Sequence, residues 1–172
     1  TIKTSARSRS MRIAVRADGE VVVTAPRFVP GFVVRAFVEK HRDWIQKHTT
    51  RARGRTTVQV HRAEVMELKK KAQQYLEKEC AEVAQKYGLE YQKITVRAQR
   101  SRWGSCSKSG NLSFNYKIMA LPDHVARYVV VHEICHLREL NHSKRFWALV
   151  AKEVPDYLAV RRELRKTQVV IK

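Results

Sequence analysis

Tyr128-Val129-Val130-Val131-His132-Glu133-Ile134-Cys135-His136 joins an apolar run to an HExxH spacing. Only His132 and Glu133 interrupt the apolar character of Tyr128 to Cys135, which predicts a helix buried at the centre of the fold. Pro122 and Asp123 open that helix: proline suits a first turn, and an acid suits the positive end of the helix dipole. Residues four apart lie on one helical face about 6 Å from each other, so the imidazoles of His132 and His136 can converge on one point. Burying two histidines and a glutamate among apolar residues costs several kcal/mol unless they share a partner. A metal ion is such a partner. Zinc is the expected one, one Zn2+ per chain, held by imidazole nitrogens in a tetrahedron with one position open to water. Glu133 then stands beside the ion, where it can polarise that water.

Downstream, His142 lies six residues after His136 and is the leading third ligand, with Leu140-Asn141 turning the chain and Asn141 serving as a left-handed stop. Glu153 and Glu163 are the competing third ligands. The spacing also matches metzincins, but Glu139 stands where that class has glycine, and Met11, Met66 and Met119 all precede the motif, leaving no Met-turn. A helix through Phe146, Trp147, Leu149 and Val150 ends before Pro155. A last amphipathic segment covers Tyr157 to Leu164.

Upstream, Asn111 to Ile118 alternates: Leu112, Phe114, Tyr116 and Ile118 face one way and Asn111, Ser113, Asn115 and Lys117 the other, which predicts a half-buried strand. Arg100 to Ser107 reads as a polar loop carrying Trp103, and Ile94 to Val96 as a strand. A long helix is expected from about Arg62 to Tyr87, stopped by Gly88. Thr49 to Thr57, rich in arginine and poor in apolar residues, is the linker candidate. Gly31 to His48 has helical periodicity. Residues 10–25 read as a β-hairpin, with Met11, Ile13 and Val15 alternating, Asp18-Gly19 as a two-residue turn, and Val21-Val22-Val23 returning. The fold class is therefore α+β. A hairpin and helix part over about 1–56 precedes a core over about 61–172, together one domain of 172 residues.

Composition narrows the classes. A chain of 172 residues can bury roughly 70% of its unfolded surface and needs no disulfide staple. With 6 Gly and 4 Pro it is neither collagen-like nor low-complexity. Cys80, Cys106 and Cys135 form no CxxC pair and read as reduced thiols of a cytoplasmic protein. No apolar run approaches the ~20 residues of a membrane span, and no secretory leader is expected. The 35 Lys and Arg against 16 Asp and Glu set a formal net charge of +19. That field attracts polyanions, which makes nucleic acid a candidate partner.

Several runs together resemble the YgjP-like zinc metallopeptidase family: Arg102-Trp103-Gly104-Ser105-Cys106-Ser107, Gly110-Asn111-Leu112, Val130 to Leu137, and Asn141-His142-Ser143-Lys144-Arg145-Phe146-Trp147. Asp18 to Val23, Ala25-Pro26 and Asp43-Trp44-Ile45 add to the resemblance, which spans nearly the whole chain. That family is similar to the SprT-like and WLM zincins, some of which cleave proteins crosslinked to DNA. The resemblance implies a zincin-like core, zinc on His132, His136 and His142, Glu133 as the catalytic acid–base, and a polypeptide substrate. It also implies, with the alternation, that the Asn111–Ile118 strand lies along the cleft. If its outer edge is free, a substrate could add there as a further strand through the face of Asn111, Ser113 and Asn115. Trp103 either lines the cleft or packs its loop. Arg102, Tyr116, Tyr128 and Arg145 are the candidates for stabilising an oxyanion.

Three functions are compatible with these residues. The first is a zinc peptidase with Glu133 as general base. The second is a basic nucleic-acid-binding module whose zinc is structural, with Cys106 closing the fourth position. The third is a zinc hydrolase acting on a non-peptide substrate.

Overall fold

A parallel pairing that no local pattern announces opens the chain. In the computed structural model, which describes residues 1–16, 18–99 and 101–172, β1 (Ile2–Ser5) runs parallel to β3 (Val21–Pro26), with Ile2 opposite Val23. The hairpin partner β2 (Arg12–Val15) runs antiparallel on the other side of β3, with Val15 opposite Val21. The turn is one residue longer than the two-residue form expected. Arg16 N–H donates to Glu20 O at 2.8 Å and closes the loop, and Gly19, at φ 85°, donates to Arg16 O at 3.0 Å. A left-handed glycine at the end of a three-residue loop is a stable alternative to the tighter turn.

The helical periodicity after Gly31 is cut in two. α1 covers Gly31–Lys40 and α2 covers Arg42–Arg53, with His41 between them at φ −108°, ψ 16°. His41 Nδ1 lies 2.8 Å from the Phe37 carbonyl, so the ring caps an acceptor at the break. The linker expected over Thr49–Thr57 shrinks to Gly54-Arg55, because α2 continues to Arg53 and β4 (Thr56–Val60) begins three residues later. Arginine is a good helix former, so a run of arginines does not end a helix. Val23, Ala25 and Val34 form the small core of this part, a compact unit spanning Thr1–Thr57.

The second compact unit, Val58–Lys172, starts within β4. Its last strand, β8 (Thr167–Ile171), was not expected. It pairs with β4, and Lys172 N–H donates to Val60 O at 3.0 Å. α3 (Val65–Tyr87) follows a 3-10 turn at Arg62–Glu64 and stops at Gly88, whose φ is 58°. Then come β5 (Lys93–Arg97), β6 (Gly104–Cys106) and β7 (Asn111–Asn115) in the order β5-β7-β6. β5 is parallel to β7, with Ile94 opposite Leu112; β6 is antiparallel, with Gly104 opposite Phe114.

Two expectations change here. The polar loop before β7 contains a short strand, β6; its first residue in that reading, Arg100, lies outside the described residues. β7 also has no free edge, because β5 and β6 pair on both sides of it. Alternation reveals which face of a strand is buried but not which strands flank it. β7 ends early, since Asn115 Oδ1 accepts from Lys117 N–H at 3.2 Å and turns the chain into a 3-10 segment at Tyr116–Ala120.

α4 (Asp123–Cys135), α5 (Lys144–Glu153) and α6 (Tyr157–Lys166) complete the unit. The core joins Leu76 and Val83 of α3, Leu112 and Phe114 of β7, Val130 and Ile134 of α4, and Phe146 of α5, all fully buried. Each such side chain contributes about 1.5–3 kcal/mol of transfer free energy. Among the described residues no non-glycine residue has positive φ, so Asn141 is not a left-handed stop. Instead its Oδ1 accepts from Ser143 N–H at 3.1 Å, and Ser143 Oγ accepts from Phe146 N–H at 3.3 Å to cap α5.

Candidate metal centre

α4 ends where its polar residues begin. His132 and Glu133 occupy its last turn, and His136 stands just beyond it with backbone still helical, at φ −67° and ψ −18°. The rings of His132 and His136 lie 4.9 Å apart, edge to face. The segment Leu137–Ser143 then returns His142 to within 5.0 Å of the His132 ring and 4.8 Å of the His136 ring. One nitrogen from each of the three rings lies within 4.8 Å of the others. Phe146 sits against all three, 4.5 Å from His136 and 4.8 Å from His142. Trp147 stacks on His142 at 5.5 Å and on Tyr157 at 5.0 Å.

Hydrogen bonding shows which nitrogens of this cluster are open to a ligand. His136 Nδ1 lies 3.0 Å from Glu139 O. A carbonyl only accepts, so Nδ1 carries the proton and Nε2 keeps its lone pair. Metal-binding histidines are held in this way by a second partner. His132 Nε2 faces His142 Nε2 at 3.1 Å, while His132 Nδ1 is buried with no partner among the described residues. Two imidazole nitrogens on one tetrahedral zinc, each at ~2.0–2.1 Å, would stand about 3.3–3.4 Å apart. The all-imidazole donor set and its spacing therefore fit a zinc-like ion.

Electrostatics agree with that donor set. Burial, together with the neighbouring His136 and His142, pushes His132 down to about 3, so its ring stays neutral. Burial also lowers His142, with His136 and Arg161 adding to the effect. Glu133 is 6% exposed, and burial raises its carboxyl to about 8 against the opposing charge of Arg102. Its place depends on Gly104 of β6. A Cβ there would stand 2.6 Å from Glu133 Cγ and 2.7 Å from Oε1.

A cleft of about 260 Å³ opens beside His132 and Glu133, lined by Arg102, Trp103 and Gly104, by Tyr128 of α4, and by Arg161, Leu164 and Arg165 of α6. Trp103 thus lines the cleft, as do Arg102 and Tyr128 among the oxyanion candidates, whereas Tyr116 and Arg145 do not. Asn111, Ser113 and Asn115 are also absent from its walls. Asn111 Nδ2 donates to Ser109 Oγ at 2.8 Å, Ser113 lies opposite Ser105, and Asn115 Nδ2 donates to Gln99 O at 2.7 Å and Arg102 O at 3.1 Å.

The competing ligands are engaged elsewhere. Glu153 pairs with Lys86 and Arg127, and Glu163 with His124. Cys106 is outside the nitrogen cluster; its Sγ donates to Ser107 O at 3.4 Å, and burial raises the thiol to about 11. Gly104, Arg161 and Arg165 escaped sequence reasoning. The signal for the two arginines was their four-residue spacing on an amphipathic helix, where a cation ordinarily reads as solvent-facing.

No curated protein matches the chain in sequence. The crystal structure of the metallopeptidase zymogen of Pyrococcus abyssi, abylysin, is similar at 20% identity and a TM-score of 0.42, over 50% of this chain and 93% of that one. The family model described as YgjP-like, metallopeptidase domain, matches residues 9–68 and 57–167, and the chain belongs to that family of metallopeptidases.

Proposed function

We propose that the chain is a zinc-dependent peptidase with a zincin-like core, in which His132, His136 and His142 hold the ion and Glu133 moves the proton. The observation that carries this is the convergence of three imidazoles beside a buried carboxylate, with His136 fixed in the tautomer that leaves Nε2 free. When bound, zinc supplies Lewis acidity towards a carbonyl and lowers the pKa of water to about 7. Glu133 takes a proton from the attacking water at its carboxylate as the new C–O bond forms. It then delivers that proton to the departing amine nitrogen as the C–N bond breaks. Burial raises the proton affinity of the Glu133 carboxyl, which suits its holding the proton until the amine departs. Arg102 and Tyr128, on the wall of the same cleft, supply donors towards a developing oxyanion.

The test is zinc content measured together with hydrolysis of an unfolded protein. Wild type should carry one zinc per chain and cleave. Glu133→Gln should keep its zinc and lose roughly 10²–10⁴-fold in rate. An undiminished rate in that variant, or a wild-type protein that takes up no zinc, would overturn the assignment.

A further inference from the structure

The cleft beside Glu133 is walled by Trp103, Tyr128 and Leu164 and carries three guanidinium groups: Arg102, Arg161 and Arg165. Among the described residues, Glu133 is the only acid on its walls. Arg102 faces the Glu133 carboxyl, but neither Arg161 nor Arg165 forms an ion pair with a carboxylate among the described residues, whereas Arg127 on the same helix as Glu133 has three. Arg161 and Arg165 are four apart on α6 and share a face. Arg161 is half-buried and its guanidinium carbon lies 4.8 Å from the Trp147 ring centroid, a cation–π contact that restrains the group while guanidinium N–H donors remain for a ligand. A planar, pre-positioned fork of that kind matches a carboxylate with two parallel hydrogen bonds.

The size of the space limits what can enter. About 260 Å³ is below the ~300–1,000 Å³ of small-molecule pockets, so it admits one side chain or a chain end. A nucleic-acid strand needs instead an open track with successive stacking surfaces. We propose that this cleft selects a carboxylate on the residue adjoining the bond to be cut, either an acidic side chain or a free C-terminus. The proposal rests on the peptidase reading above and names its substrate class. The net charge of +19 draws any acidic peptide to the surface. What marks this cleft is that the position of the carboxylate matters, beyond its presence.

The experiment is peptide binding to zinc-loaded Glu133→Gln protein, followed by fluorescence anisotropy. The probes are short labelled peptides, blocked at both ends, that carry Glu or Gln at one central position, and a third that carries the same Glu at its far end. A free-acid peptide and its amide form a separate arm that tells a chain end from a side chain. Central Glu, or the free acid, should bind about tenfold tighter than its neutral counterpart. Arg161→Ala and Arg165→Ala should each remove most of that ratio, and Arg161→Lys should restore part of it. Arg165 is exposed at the rim, so its variant stands even if Arg161→Ala disturbs the Trp147 stack.

Equal binding of the Glu and Gln peptides, equal binding of the distal Glu, or a ratio untouched by the arginine variants would each overturn the proposal. So would displacement of the central-Glu peptide by an equimolar single-stranded oligothymidylate, which would assign these arginines to nucleic acid. Wild-type cleavage of Glu and Gln peptides at equal rates would overturn the carboxylate site and leave the peptidase reading standing. The tenfold binding ratio without cleavage of any peptide would do the reverse.

Discussion

α4 carries two polar groupings, and they are built in opposite ways. Near its start Arg127 binds three carboxylates at once, Glu79 and Glu82 of α3 and Glu153 of α5. Lys86 joins the same cluster through Glu82 and Glu153. Every charge there is answered, and three helices are clamped together. One and a half turns further on, His132 and His136 have no charged partner among the described residues: His132 Nε2 meets only His142 Nε2, at 3.1 Å, and the His136 Nε2 lone pair is left open. Both groupings require desolvation of polar atoms. The first recovers that cost within the fold and acts as structure. The second recovers it only when something outside the chain arrives, which is what a binding centre requires.

Removing a partner should therefore have opposite consequences at the two places, and the largest effect belongs to the metal. Zinc at a thousandfold its Kd should stabilise wild type by about 4 kcal/mol, and His132→Leu should abolish that increment together with hydrolysis. In the presence of chelator the same variant should fall within about 1 kcal/mol of wild type, because it replaces a buried ring that has one unpartnered nitrogen by an apolar side chain. Thermal melts with and without zinc read both numbers. Strong destabilisation in chelator would mean that His132 is structural and would break the comparison.

Gly104→Ala comes next. The added Cβ would meet Glu133 2.6 Å from Cγ, so the carboxylate must move while the three histidines keep their places. A shift of about 1 Å in a catalytic group costs on the order of 10²-fold in rate. Zinc content should stay at one per chain while kcat falls by that factor. An unchanged kcat would separate Glu133 from the chemistry.

Much of this arrangement was legible because it is local. The four-residue spacing of His132 and His136, the cap signals at Pro122 and Asp123, and the glycine stop at Gly88 all act within a turn or two of chain. What depends on neighbours far along the sequence was not legible. The clean alternation of Asn111 to Ile118 hid the central place of β7. Asn115 looked solvent-facing, yet it is buried because the Gln99 and Arg102 carbonyls accept its amide. β8 follows α6 with no turn residue between them; only Thr167, whose Oγ1 donates to Glu163 O at 3.0 Å, marks the change. Arg161 and Arg165 gave no hint of a cleft, because the wall opposite them comes from α4 and from the approach to β6.

Arg127→Leu probes the answered grouping and should have the smallest effect of the three, about 2 kcal/mol at neutral pH. That figure lies between a surface pair and a fully buried one, since the Arg127 side chain is 29% exposed and Glu79 and Glu153 are 14% and 19% exposed. Its pH dependence is the sharper test. The Glu153 carboxyl is held below its ordinary range first by the hydrogen bond from Lys86 and then by Arg127, with burial opposing. A carboxyl with a depressed folded pKa contributes stability above its unfolded pKa and loses it as pH falls through the folded value. The gap between wild type and Arg127→Leu should therefore be full above about pH 5 and narrow steadily below pH 4, as the carboxylates that hold Arg127 become protonated. Denaturant melts at intervals between pH 7 and pH 3 would follow it. A gap that stays constant across that range would mean that Arg127 acts through the packing of its methylenes, and the charge-pairing account of this end of α4 would fall.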